Sequence, residues 1–315
     1  MANTSSFGFR STGEEVTNGV HATGLTAIVT GGTSGIGAET VRVLALRGAH
    51  VYLLARNLKA ADTVKAGIVK SIPNARIDLL ECDLSSLASV RKCSEQFLAL
   101  NQPLNILVNN AGIMGCPFTL TQDGIEMQFA TNHLGHFLLT DLLLEKLKHT
   151  AHESGVEGRI VNVSSVSHTW FNPKGDFALD KINDKANYSP LRAYGQSKLA
   201  NILHANELAR RFKEEHVNLT ANSLHPGGIH TNVLRHFRFA AFLAGIADYA
   251  RNLTRLKSIS QGAATQCYLV LNPKAKGING KYFVDCKESI PNKHACDPDL
   301  AKSLWELSVN LISKN

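Results

Sequence analysis

The 315-residue chain is 44% hydrophobic and 19% charged, an ordinary globular composition, and its length allows one large domain or two medium ones with a sizeable core. Its formal net charge of +7 is spread without a run of five or more like charges, which fits solubility and attraction to anionic ligands and argues against nucleic-acid binding. The six cysteines, Cys82, Cys93, Cys116, Cys267, Cys286 and Cys296, form no C-x-x-C pair and no zinc spacing, so packed thiols in a reducing compartment are expected, with no metal.

No secretory signal or spanning run stands out, so the chain is not expected to be secreted. Residues 1–23 are rich in Ser, Thr and Gly and read as a flexible arm. Of the five N-x-S/T sequons, at Asn3, Asn162, Asn187, Asn218 and Asn252, Asn162 falls in an apolar run expected to be a buried strand. The sequons are therefore read as coincidental.

Leu25–Thr30 is the first apolar, β-leaning run, suited to a strand buried on both faces. It enters Gly31-Gly32-Thr33-Ser34-Gly35-Ile36-Gly37, after which Ala38 to Leu46 is helical in character. Strand, glycine turn and helix in that order make an anion site: the backbone can approach a pyrophosphate, and the helix start offers unpaired N–H groups. The next strand, Ala49 to Ala55, ends at Arg56-Asn57, 19 residues after Gly37 for the arginine. An acid at that strand end would bind the free 2′-hydroxyl of NAD, whereas an Arg can pair with the 2′-phosphate, so NADP(H) is favoured. A strand-end Arg in solvent is the plainer alternative.

A helix over about 58–71 and a strand over Ile77–Cys82 lead to Asp83-Leu84, where the acid can accept from an adenine amino group or cap the helix over 87–99. Asn105–Val108 is a fourth strand ending in Asn109-Asn110-Ala111-Gly112, small enough for a nicotinamide ribose to lie against the backbone. Residues 123–148 read as a long helix containing Asn132, His133, Gly135 and His136. An Asn among apolar neighbours in a helix calls for a partner. The two histidines lack ligand-spaced companions and read as packing residues. Arg159–Val163 is another strand, ending in Ser164 and Ser165. Tyr194 and Lys198 then stand four apart on one helix face, where a nearby cation is expected to lower the phenol pKa.

These elements, in this order, resemble the short-chain dehydrogenase/reductase superfamily over about residues 24–285. The strings at Phe129–Thr140, Arg192–Asn201 and Ser223–Gly227 bring the resemblance closer to its retinol-dehydrogenase-like branch and to plant members similar to the one associated with the chloroplast inner-envelope translocon. The resemblance implies an α/β fold, a single doubly wound Rossmann-type domain with a mostly parallel seven-stranded sheet flanked by helices. It makes Tyr194 the proton donor or acceptor, has Lys198 bind the ribose, gives Ser165 the substrate oxygen and Asn132 a water relay, and assigns Pro226, Gly227 and Thr231 to the nicotinamide carboxamide. Two features depart from animal retinol dehydrogenases: Thr33-Ser34 stands where they more often carry Asn-Thr, and their N-terminal anchor is not seen.

Ile113, Met114, Val166, Trp170, Phe171 and Leu191 are candidate pocket walls, which points to a small lipophilic carbonyl or alcohol substrate. Residues 233–249 read as a lid or as a membrane-surface contact. A closing helix from Gly262 to Leu271, a last strand at Gly280–Val284 and a tail over 290–315 complete the chain, the tail carrying Leu300, Leu304, Leu307 and Leu311 at helical spacing. The resemblance raises calmodulin binding there, but Lys302 and Lys314 are too few cations for it. It also admits a homodimer, and a place in the cytoplasm or at the periphery of the plastid envelope. The two functions it leaves are an NADP(H)-dependent oxidoreductase and an NADP(H)-binding redox sensor of that translocon.

Overall fold

In the computed structural model, which describes residues 6–170, 181–229 and 256–314, the apolar runs lie side by side in one sheet. Strands β1 (Thr26–Thr30), β2 (His50–Ala55), β3 (Arg76–Glu81), β4 (Ile106–Asn109), β5 (Gly158–Val163), β6 (Leu219–His225) and β7 (Tyr282–Val284) are parallel, in the order β3-β2-β1-β4-β5-β6-β7. Val29 of β1 is in register with Leu53 on one side and Val108 on the other. Successive residues of β1 serve opposite cores: Ile28 joins Phe97, Phe137 and Phe212, whereas Ala27 and Val29 join Val41, Leu44 and Tyr268. Burial on both faces explains why the strand reads as a continuous apolar run with no alternation.

Helices α2 (Gly35–Leu46), α3 (Leu58–Ser71), α4 (Leu87–Ala99), α5 (Gly135–Ser154), α7 (Pro190–Glu214) and α8 (Ile259–Leu271) cover the two faces. The starts of α3 and α4 are set by side-chain caps, Asn57 accepting from the Ala60 N–H at 3.0 Å and Ser86 from the Ser89 N–H at 3.3 Å. This topology puts the ends of β1, β2, β3, β4, β5 and β6 along one edge, where a doubly wound sheet presents its site.

The sheet has eight strands where seven were expected. Asp285 and Cys286, at φ of 54° and 60°, turn the chain into β8 (Lys287–Ser289), antiparallel to β7. That two-residue turn favours Gly, Asn or Asp at positive φ; Asp285 fits, but Cys286 in place of glycine leaves no hairpin signature in the sequence.

The first residues also differ from the loose arm expected. Thr12 and Glu15 form a reciprocal capping box on the short helix α1 (Gly13–Val16), and Val16, Thr17 and Ala22 are buried. The Asn272 amide after α8 donates to the Val16 carbonyl at 2.6 Å. At the other end α9 (Pro298–Lys314) docks on its own domain, but its buried face is Ala301, Leu304, Ser308 and Ile312. Leu300 and Leu311 of the expected stripe pack half-buried against the same core, and Ser308 Oγ lies 2.9 Å from His133 Nε2. No helix of the described residues is long and apolar enough to cross a membrane.

Candidate active site

The glycine turn between β1 and α2 is shaped by close contact. Gly31, at φ 67°, would place a Cβ 2.8 Å from the Ala111 Cα, and a Cβ on Gly37 would strike the Gly31 carbonyl and the Asn110 amide. Two loops, Gly31–Gly37 and Asn110–Gly112, thus touch backbone to backbone. Thr30 joins them: its Oγ1 accepts from the Asn110 and Ala111 N–H groups at 2.9 and 3.0 Å. Ser34 is the N-cap of α2 but makes no side-chain cap, so the first-turn N–H groups remain open to an anion. Asn110 Nδ2 donates to the Thr30 carbonyl at 2.9 Å, and its Oδ1 is buried without a partner. Open donors, excluded Cβ atoms and an unsatisfied acceptor together fit a dinucleotide.

At the ends of the next two strands the predicted cofactor residues separate into two groups. Arg56 is exposed beyond β2, while Asn57 beside it caps α3 through its Oδ1. Asp83 does not cap α4, a task that falls to Ser86. Its Oδ1 accepts from Ser85 N and Oγ at 2.9 and 2.7 Å, rigidifying the loop. Leu84 is buried, and its carbonyl sits against Gly135, where any Cβ would collide with it.

Asn132 finds its partners in a π turn (Ala130–Leu134), preceded by one α turn (Met127–Phe129) and continued by α5. Its amide reads the Ile113 backbone both ways: Oδ1 accepts from Ile113 N–H at 2.8 Å, and Nδ2 donates to the Ile113 carbonyl at 2.9 Å. Nδ2 also reaches Ser197 Oγ at 2.9 Å. Such π turns often mark functional sites. The two histidines diverge. His133 faces Ser308, whereas His136 places Nδ1 3.0 Å from the Asn132 carbonyl and Nε2 2.8 Å from Thr30 Oγ1. Burial lowers the His136 pKa to about 4, so it is a neutral link between the π turn and the cradle.

Ser165 lies just past β5 near the Tyr194 phenol, and its hydroxyl donates to Ser167 Oγ at 3.0 Å and accepts the Ser167 N–H at 3.2 Å. Ser164 turns away, donating to the Lys198 carbonyl at 2.6 Å, which leaves Ser165 as the serine in the site. Lys198 Nζ donates to the Val163 carbonyl at 3.0 Å and stands 5.6 Å from the Tyr194 ring centroid. A Cβ on Gly112 would lie 3.2 Å from Lys198 Nζ and 3.3 Å from Asn132 Oδ1, so all three meet. Burial pushes the Tyr194 phenol up to about 12 against a smaller lowering influence of Ser165, and lowers Lys198 to about 8. Desolvation is the larger influence on the phenol, while the Lys198 ammonium is held by a backbone carbonyl.

Past β6, Gly227 at φ 100° packs on Lys257, whose Cδ would lie 2.7 Å from a Cβ there. Lys257 is buried and its Nζ is 2.5 Å from Asp285 Oδ1, an ion pair outside hydrogen-bonding angles. Of the pocket walls, Ile113, Met114, Val166 and Leu191 are half-buried and Trp170 is exposed. Thr231, Phe171 and the 233–249 segment lie outside the described residues.

A family model described as short chain dehydrogenase matches residues 25–174. Over 311 residues the chain is 56% identical to "Short-chain dehydrogenase TIC 32 B, chloroplastic" of Brassica napus, covering 99% of this chain and 96% of that one. The chain belongs to the short-chain dehydrogenase family. This short-chain dehydrogenase is also 38% identical over 296 residues to "Retinol dehydrogenase 12" of Mus musculus, covering 94% and 89% of the two chains. Among solved structures, a short chain dehydrogenase from Burkholderia cenocepacia J2315 in complex with NADP matches it with a TM-score of 0.63 and 26% identity, covering 84% of this chain and 96% of that one.

Sequence reasoning missed several residues of this dehydrogenase's site. Thr30 and His136 were passed over as strand and packing residues, though a Thr at a strand end and a His one helical turn past Asn132 were visible. His168 and Lys257 carried no local signal, because their partners are remote in sequence.

Proposed function

We propose that the chain is an NADP(H)-dependent oxidoreductase interconverting a lipophilic aldehyde or ketone and its alcohol, with Tyr194 as general acid and base. The observation that carries this is the convergence of Tyr194, Ser165 and Lys198 beside the glycine cradle, all at the carboxyl edge of the sheet. Gly31, Gly35, Gly37, Thr33, Ser34 and Ile36 would hold the pyrophosphate, Arg56 the 2′-phosphate, Asp83 and Leu84 the adenine, and Asn110, Ala111, Gly112 and Lys198 the nicotinamide ribose. Pro226, Gly227 and Thr231 would take the carboxamide. The bound nicotinamide supplies the hydride.

The protein's part is orientation and proton handling. Ser165 donates toward the substrate oxygen as negative charge develops there, and Tyr194 gives up its phenolic proton to that oxygen. Burial raises the phenol, and Lys198, its ammonium 5.6 Å from the ring centroid, is the cation placed to oppose that and favour proton transfer. Asn132 contributes by fixing Ile113 and, through its carbonyl and His136, the cradle. Ile113, Met114, Val166 and Leu191 offer an apolar wall, and the retinol dehydrogenase likeness supports a lipophilic substrate. The likeness to a chloroplastic relative supports a plastid location, and favours as second reading an NADP(H)-binding sensor without turnover.

Purified protein assayed for NADPH oxidation against apolar aldehydes and ketones separates the two. Turnover is expected; tight NADPH binding with no turnover on any of them would leave the sensor.

A further inference from the structure

Three elements carry the catalytic groups: the turn after β5 with Ser165, the helix α7 with Tyr194 and Lys198, and the π turn with Asn132. The chain after β8 is bonded to all three. Asn292 N–H donates to His168 Nε2 at 3.1 Å, in the short helix α6 (Ser167–Trp170). The Ala295 carbonyl accepts from Asn206 Nδ2 of α7 at 2.7 Å, and the Arg211 guanidinium of α7 stacks 4.0 Å from the Trp305 ring centroid. Ser308 reaches the π turn through His133. One of these bonds continues directly onto a catalytic residue's backbone. His168 Nδ1 stands 2.6 Å from the Ser165 carbonyl.

A carbonyl only accepts and a backbone N–H only donates, so both ring nitrogens of His168 have fixed roles: Nδ1 carries the hydrogen and Nε2 is bare. The ring is 2% exposed, and burial disfavours its charged form. The groups facing it are the Tyr282 ring at 5.3 Å, the Thr169 hydroxyl at 3.2 Å, and His225, on which Lys257 and Asp285 act in turn. His225 Nδ1 accepts the Val166 N–H at 3.3 Å, so two histidines hold this one turn.

We propose that His168 is a positioning residue for Ser165 and that the C-terminal segment sets it: the Asn292 N–H fixes the imidazole tautomer and plane, and Nδ1–H then pins the Ser165 carbonyl, which keeps the serine hydroxyl beside Tyr194. The catalytic serine is thus held in part from more than 120 positions away in the chain, Asn292 and His168 being 124 residues apart. The proposal rests on the reductase reading, and one arm of its test is independent of that reading.

Asn292 has φ −54°, which suits proline, so Asn292→Pro deletes the N–H at a φ already in place. It also removes the Asn292 Oδ1 cap on the His294 N–H at 2.9 Å. Asn292→Ala removes that cap and keeps the N–H, so the difference between the two variants isolates the bond to His168. Ring ¹⁵N resonances of His168 in the full chain should show a single Nδ1–H tautomer in wild type and N292A, and mixed tautomers in N292P. In turnover, N292P should lose kcat roughly tenfold relative to N292A at little change in KM for NADPH, the split expected when a reacting group is misplaced. A wild-type tautomer signal in N292P, or a lost signal with kcat equal to that of N292A, overturns the proposal. A wild-type chain without turnover sinks the reductase reading alone. The resonance arm then decides: altered His168 tautomers with displaced Ser165 and Ser167 amide signals support the pinning, and unaltered ones overturn it.

Discussion

Replacing Lys198 with methionine should destroy the site and strengthen the fold. The ammonium is 3% exposed, has no carboxylate partner among the described residues, and makes a single hydrogen bond, to the Val163 carbonyl. Desolvation takes its pKa from 10.5 to about 8, and at about 1.4 kcal/mol per tenfold change in proton affinity the charged side chain costs the folded state about 3 kcal/mol at neutral pH. Methionine fills a similar volume, and Val163 is not orphaned, because Asn201 Nδ2 donates to the same carbonyl at 3.1 Å. The sign follows from the folded pKa lying below the unfolded one. Between pH 8 and 10.5 the unfolded chain binds more protons at this position, so wild-type stability rises with pH there and the penalty fades. Urea unfolding of cofactor-free wild type and K198M at pH 7 and pH 10 should therefore show K198M the more stable at pH 7. That advantage should shrink by about 2–3 kcal/mol at pH 10. Tyr194, raised to about 12, loses its own contribution only above pH 10 and does so in both chains. An advantage that is absent at pH 7, or the same at both pH values, refutes the reasoning.

Tyr194→Phe should abolish turnover while NADPH binding, followed by cofactor fluorescence, stays within about twofold, since the phenol contributes the proton and little of the cradle; retained activity overturns the assignment. Arg56→Ala should erase most of the preference for NADPH over NADH, measured as the ratio of kcat/KM values; an unchanged ratio places that arginine in solvent. Gly37→Ala drives a methyl group into the Gly31 carbonyl and the Asn110 amide, so cofactor binding should fall more than tenfold at a smaller cost in folding. Asn132→Ala removes three buried hydrogen bonds and should cost about 2–4 kcal/mol in urea unfolding; a loss under about 1 kcal/mol would show that Ile113 finds other partners.

How far the sequence could be read depended on the range of the interaction. The helices α3 and α4 stand where the sequence placed them, over 58–71 and 87–99, because each start is fixed by a side chain within three residues, Asn57 or Ser86. Several interior strands were found to within a residue because burial on both faces leaves apolar runs. Elements held by remote partners were not legible. Nothing near Asn132 announces a π turn, whose reason is the Ile113 backbone 19 residues earlier. The leucine pattern of α9 marked a packed face, but the buried Ser308 within it answers a histidine 175 residues away and could not be read locally. The site followed the same rule: Ser165, Tyr194, Lys198 and the glycines could be read as a pattern, whereas His168, His136 and Lys257 have meaning only once their neighbours are in place.

The packed first residues define where this chain can be shortened. Phe7 meets Tyr268 edge-on at 6.2 Å, the Arg47 guanidinium reaches the Glu14 carbonyl at 2.8 Å, and Ala22 N–H pairs with the Arg47 carbonyl at 2.8 Å. Starting the protein at the first glycine of its nucleotide motif would bare the apolar back of α8 and leave Arg47 and Asn272 without their acceptors. The smallest self-sufficient version therefore begins ahead of Phe7, some two dozen residues before any recognisable signature. Tags and fusions belong on the far side of that boundary.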